Sequence, residues 1–213
     1  MTYSTSIGDD LIPLVLDTSV LINLYASKSG SAILCALPNQ IIVPKIVAAE
    51  LEHETSKKNG EHDFLQELVA THNVRLAVLD HRECALFERL VSGIPSLDDG
   101  EAATIAIAAA RNYHPVIDER KGRNRAQAHI PNKQPGWSLD LFRHPEVTTK
   151  LGGAPSIDAL FYALRDGRMR IDESHCDHVV SLIGTHRAVL CKSLPGYKVR
   201  RQTWQESKDL KIT

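Results

Sequence analysis

The chain has 213 residues, 25 Lys+Arg against 26 Asp+Glu and a formal net charge of −1. At 43 % hydrophobic and 24 % charged it can bury one domain-sized core and is not a disordered chain, while 5 % aromatics weigh against a β-sandwich or a base-stacking platform. The near-neutral sum hides an asymmetry: residues 1–110 carry 7 basic and 15 acidic side chains, and residues 111–213 carry 18 and 11. Such a split suggests an acidic site in one part and an anion-binding surface in another. No apolar stretch is long enough to span a bilayer. The polar, acidic residues 1–10 do not read as a signal peptide. Cys35, Cys84, Cys176 and Cys191 are scattered with no Cys-x-x-Cys pair. That argues against a disulfide framework or a zinc ribbon and for a reducing, cytoplasmic setting.

In chain order, residues 13–16 form a short apolar run of the kind that makes a buried strand. Asp17-Thr18-Ser19 follow as capping residues for a helix through Val20, Leu21, Leu24 and Tyr25. Residues 41–43 are a second apolar run, stopped by Pro44 and followed by a helix through Ile46, Val47, Glu50 and Leu51. Phe64, Leu65, Leu68 and Val69 have helical spacing, and 74–79 is the third strand candidate. Leu86, Phe87, Leu90 and Val91 share a helix face. Leu97-Asp98-Asp99-Gly100-Glu101 opens an alanine-rich helix to about Arg111, and 115–117 is a strand ending at Asp118. Alternating strands and helices predict an α/β fold with a mainly parallel sheet.

Residues 127–153, with Pro131, Pro135, Gly136, Pro145, Gly152 and Gly153, break the pattern and read as an irregular insertion with one short strand near 147–149. Ser156 then reads as the cap of a helix through Ala159, Leu160, Ala163 and Leu164, and 174–183 as a last helix. The organisation expected is one domain over 10–190 and a basic, polar tail over 191–213.

Two of the expected strands end in an acid, Asp17 and Asp118, and parallel sheets bind ligands at the carboxyl ends of their strands. Glu50 and Glu101 lie on the helices that follow the second strand and precede the fourth. Clustered carboxylates raise one another's pKa unless a cation sits among them, and an all-oxygen set suits Mg²⁺ or Mn²⁺. Singly, each acid has a plain structural use, as a cap, a first-turn charge or a surface residue.

Four stretches carry a family resemblance. Val15-Leu-Asp-Thr-Ser-Val-Leu-Ile22, Val43-Pro-Lys-Ile-Val-Ala-Ala-Glu50, Leu97-Asp-Asp-Gly-Glu-Ala-Ala-Thr-Ile-Ala-Ile-Ala108 and Val116-Ile-Asp-Glu-Arg-Lys-Gly-Arg123 resemble, in order, the acidic motifs of PIN-domain proteins. The resemblance covers roughly residues 12–126, and more loosely the later helices. It implies a three-layer α/β/α sandwich and a metal-dependent nuclease site. Matched position by position, Asp17, Glu50, Glu101 and Asp118 are the catalytic acids, with Asp17, Glu101 and Asp118 holding the metal. Thr18 or Ser19 matches a supporting hydroxyl, while Asp98, Asp99 and Glu119 are neighbouring alternatives. The activity implied is Mg²⁺- or Mn²⁺-dependent endoribonucleolytic hydrolysis. The family includes VapC-like toxins, so an antitoxin or other protein inhibitor and a homodimer come within the resemblance; so does a non-catalytic nucleic-acid-binding module.

An acidic pocket alone repels RNA. Arg120, Lys121, Arg123 and Arg125, directly after Asp118, are the expected phosphate contacts. Lys192, Lys198, Arg200 and Arg201, with Tyr197 and Trp204 between them, form a second basic surface. His175 and His178 are spaced i, i+3, but no second ligand pair accompanies them. Trp137 is expected to pack the insertion down. The chain lacks a phosphate-binding Gly-x-x-x-x-Gly-Lys loop and a Gly-x-Ser-x-Gly elbow.

Overall fold

The computed structural model describes residues 3–8 and 10–209, and for 207–209 the backbone alone. Met1, Thr2 and Asp9 of the acidic N-terminus and residues 210–213 of the tail lie outside the described residues. Four short strands form one parallel sheet: β1 (Leu14–Leu16), β2 (Ile41–Pro44), β3 (Arg75–Ala77) and β4 (His114–Val116), in the order β3-β2-β1-β4.

Strand alternation sorts the apolar side chains onto two faces. Leu14, Leu16, Ile41 and Val43 join a core with Val20, Leu21 and Leu24 of the helix Thr18–Ala26 and Leu160 and Leu164 of the helix Gly153–Arg165. Val15 and Ile42 face the other way, against Ile107 and Ala108 of the helix Asp99–Arg111. Each fully buried Leu, Ile or Val contributes about 1.5–3 kcal/mol, so helices are held on both faces and the architecture is an α/β sandwich. A third cluster, Leu90, Leu97, Ala102, Ile105, Ile117 and Ala126, ties the helices His81–Ser92 and Arg120–His129 to the helix Asp99–Arg111.

The sheet order fixes where a site can form. The chain winds from β1 through β2 to β3 on one side, then returns to add β4 on the other side of β1. The order reverses between β1 and β4, and a crevice opens at their carboxyl ends. There the Asp17 amide donates to the Val116 carbonyl at 3.2 Å, so the two acid-bearing strand ends are tied together.

Two expectations need correction. Residues 127–153 are not irregular, and 147–149 is no strand. The stretch holds the end of the helix Arg120–His129, then the helices Ser138–Phe142 and Pro145–Leu151. Helices of five and seven residues have too few turns to show a period, and Pro145 opens its helix instead of breaking one, since the first turn needs no N–H from it. Leu139, Leu141, Phe142 and Val147 bury their side chains in the main core. One sheet-like contact exists here, an isolated parallel bridge from Gly136 to Val116.

The basic, polar tail, in turn, has a fold of its own, although most of its side chains are exposed. Tyr197–Asp209 is a helix whose Trp204 is 7 % exposed, its ring 6.2 Å from that of Tyr197. Trp137 packs down as expected: it is buried, and its indole N–H donates to the Tyr3 hydroxyl at 2.9 Å. His175 stands edge-on to Tyr3 and Trp137, and His178 stacks on Tyr3. No helix among the described residues is long and apolar enough to cross a membrane.

Candidate active site

β1 delivers Asp17 directly. Its backbone is extended, it caps the helix Thr18–Ala26, and its Oδ2 accepts from the Ser19 amide at 3.4 Å and the Ser19 hydroxyl at 2.6 Å. Thr18, next along, donates its hydroxyl to Glu50, the last residue of the helix Lys45–Glu50. Asp98 caps the helix Asp99–Arg111 by accepting from the Glu101 amide at 2.8 Å, which sets Glu101 in the first turn. Asp118 lies two residues beyond β4. Its Oδ1 accepts from the Ser138 amide at 2.7 Å, and its Oδ2 from the Ser138 hydroxyl and the Asn23 amide, both at 2.6 Å.

All four acids line one cleft of about 440 Å³ at the crevice between β1 and β4. Thr18, Ser19, Asp98 and Glu119 line it too, while Asp99 does not. Two glycines make the convergence possible. A Cβ on Gly100 would stand 2.8 Å from Glu50 Oε2, 2.9 Å from Thr18 Oγ1 and 3.1 Å from Asp17 Oδ1. On Gly122 it would stand 2.6 Å from Glu101 Oε1 and 2.8 Å from Ile117.

Burial dominates the electrostatics. Asp17, 4 % exposed, is pushed up to about 7, chiefly by desolvation, with Asp98 and Asp118 adding repulsion and Ser19 opposing. Glu101, 1 % exposed, is pushed up to about 8 by desolvation and then by the charges of Asp98, Asp17 and Glu119. Glu50 and Asp118 are also raised by burial, against hydrogen bonds from Thr18 and from Ser138 and Asn23 respectively.

Glu101 stands apart from the rest. Both of its carboxylate oxygens are buried and have no hydrogen-bond partner among the described residues. A carboxylate so placed must hold a proton or meet a cation. The donor set around it, all oxygen and with no histidine or thiol, fits a hard divalent ion. As they stand, no three His, Cys, Asp or Glu among the described residues enclose a single ion position.

The basic residues divide. Arg120 and Lys121 border a smaller hollow adjoining the cleft, together with Asp118 and Glu119. Arg123 is committed within the fold and is not the free phosphate contact expected of it. Arg123 donates to the backbone carbonyls of Ile117 and Asp118, pairs with Asp172 at 3.0 Å and lies over the Trp137 ring. Arg125 packs against the turn at Gly93. A helix of 3.6 residues per turn cannot aim four near-consecutive side chains the same way. In the second basic surface, Arg200 pairs with Asp177 and Glu173.

Several site residues escaped the sequence reading. Asn23 is one turn after Ser19 on the same helix, a spacing that could have flagged it. Gly100 and Gly122 sit inside the acidic motifs. Ser138 falls in the stretch read as irregular and gave no signal. Arg168 and Arg170 line the cleft from beyond the helix Gly153–Arg165, and nothing local marked them.

A parallel sheet whose switch point gathers four carboxylates defines the class: an α/β domain built around an oxygen-donor cleft. The chain belongs to the PIN-domain family, whose sequence model matches residues 13–130. PIN domains are usually nucleases and generally use divalent metal ions. Neither a curated protein nor a solved structure matches the chain.

Proposed function

We propose that this PIN-domain protein is a Mg²⁺- or Mn²⁺-dependent endoribonuclease, with Asp17, Glu50, Glu101 and Asp118 as its catalytic acids. The observation that carries the reading is Glu101, buried, without a donor, and faced by three further acids in one cleft. An acid kept for structure alone would have been paired, as Glu83 is with Arg111 at 2.6 Å. This also argues against the alternative of a non-catalytic nucleic-acid-binding module.

Asp17, Glu101 and Asp118 would hold the ion, and a bound divalent ion supplies an activated water and neutralises charge on the phosphoryl oxygens. Glu101 has the most capacity, because neither oxygen is committed. Asp118 is held rigidly by Asn23 and Ser138, which fixes its direction. Glu50, held by the Thr18 hydroxyl, is the group that orients the attacking water. Ser19 donates its proton to Asp17 and is not set up as a nucleophile. Arg120 and Lys121 draw the phosphate backbone to the rim.

The role of toxin, restrained by an antitoxin or other protein inhibitor, and a homodimeric state belong to the same reading. The four cysteines are free thiols, which supports a cytoplasmic setting. Cleavage of RNA by wild type and by Asp17→Asn, with and without Mg²⁺ or Mn²⁺, tests the chemistry, and growth arrest on expression tests the toxin role. Full metal-dependent cleavage by Asp17→Asn would overturn the assignment.

A further inference from the structure

We infer that Arg168 and Arg170 form a preset two-pronged clamp for the phosphates of a single-stranded nucleic acid, carrying the strand across the acidic cleft. The inference deepens the nuclease reading and rests on it for the identity of the ligand. The residues lie outside the segment that the PIN-domain family matches.

The clamp begins with the turn that closes the helix Gly153–Arg165. The Asp166 amide donates to Tyr162 at 2.8 Å and the Met169 amide to Ala163 at 3.0 Å. Gly167 is pressed against the helix Thr18–Ala26, since a Cβ there would stand 2.7 Å from Asn23 Oδ1 and 3.0 Å from Ala26 Cβ. Met169, 1 % exposed, anchors the turn in the main core. A buried residue flanked by two exposed ones, on a turn pinned at both ends, holds both arginine Cα positions on the surface.

Arg168 is also held at φ 56°, a left-handed conformation that a long side chain rarely adopts. The neighbouring arginines are engaged: Arg165 with Asp166 at 2.7 Å, Arg187 with Asp158 at 2.6 Å, and Arg123 with Asp172. Arg168 and Arg170 make no ion pair or side-chain hydrogen bond with the described residues.

Their placement links three hollows. Both line the acidic cleft, and both line a groove of about 770 Å³ that runs on to Lys192. Arg170 also borders the hollow of Arg120 and Lys121. The result is a positive track from Lys192, over Arg168 and Arg170, to Arg120 and Lys121, with the acids recessed beside it. Guanidinium groups bind phosphate bidentately, and such contacts position a backbone without reading its bases. The scissile phosphate has to descend to the recessed acids, and a single strand bends into the cleft more readily than a stacked duplex.

The test is fluorescence anisotropy with a short labelled single-stranded RNA of mixed sequence, in EDTA, across a salt series. Working without metal separates binding from cleavage. Arg168→Ala/Arg170→Ala should weaken binding about 25-fold near 0.1 M salt and flatten the log–log salt slope by about 1.4, as expected for two single-strand phosphate contacts. Arg75→Ala, on the edge strand β3, should change neither. Arg168→Gly should bind more weakly while its Tm stays equal or rises, because glycine adopts the left-handed conformation without strain. Arg170→Ala alone, at an unstrained exposed position, should halve the change in slope. Unchanged affinity and slope in the double variant overturn the clamp, as does wild type that fails to bind RNA. Equal binding of duplex RNA overturns the single-strand assignment. A wild type that binds through these arginines but never cleaves leaves the clamp standing and overturns the nuclease reading.

Discussion

The cleft joins two unlike regions. Its floor comes from the segment matched by the PIN-domain family and consists of buried acids. One wall comes from beyond residue 130 and offers exposed arginines. The acids are costly to the fold: Asp17 and Glu101 are desolvated and pushed up to about 7 and about 8. The arginines cost the fold little beyond the strained backbone of Arg168. In the proposed reading, recognition and chemistry rest on opposite physics: chemistry would use charges that burial makes unstable and therefore hungry for a cation, and recognition would use charges left in water, whose strength falls with salt.

Predictions follow from separating the two. The largest effect should come from Glu101→Gln or Asp17→Asn, each lowering the metal-dependent cleavage rate about 10³-fold, equivalent to about 4 kcal/mol of transition-state stabilisation. RNA affinity in EDTA near pH 7 should be unchanged or slightly stronger, because without metal these two acids already hold much of a proton and the amide removes only what negative charge is left. Weaker binding with normal cleavage would reverse the division of labour drawn here.

Trp204→Ala should cost about 3 kcal/mol in urea unfolding, since the buried indole pins the last helix. Cleavage per folded molecule should persist, because Trp204 does not line the cleft. A selective loss of cleavage would mean that this helix shapes the site.

Gly122→Ala should reduce cleavage about 100-fold, the order expected when a catalytic group is displaced by about 1 Å. The added methyl would stand 2.6 Å from Glu101 Oε1. Normal rates would show that Glu101 has room to move.

The smallest effect is one of pH. The folded state raises the Glu101 pKa from 4.5 to about 8, so it binds protons that the unfolded chain releases. Stability of the metal-free protein therefore falls as pH rises through this window, by on the order of 2 kcal/mol once screening by water in the open cleft is allowed for. Mg²⁺ should restore Tm more at pH 8 than at pH 5, and Glu101→Gln should flatten the profile. A Tm that rises with pH would contradict the burial argument.

Much of the floor was legible in the sequence. Apolar runs ending in acids gave β1 and β4 with Asp17 and Asp118 near their ends, and the alanine-rich run gave the helix that carries Glu101. These are local patterns, because a strand's alternation, a helix's period and a cap each involve neighbours a few residues apart. The helices at 138–142 and 145–151 were not legible, being too short to show a period and opened by a proline. Nor was the docking of Trp204, which depends on packing against distant elements.

The sequence by itself determined the layer architecture and which acids stand at strand ends, since short-range backbone geometry dictates both. Only the tertiary structure decided which charges are spent and which are free. Arg123 looked available and is bound to Asp172, the Ile117 and Asp118 carbonyls and the Trp137 face, whereas Arg168 and Arg170 had no local mark and stand at the cleft. The physical reason is that a long charged side chain takes its partner from whatever the fold brings near, however far away that partner lies in the chain.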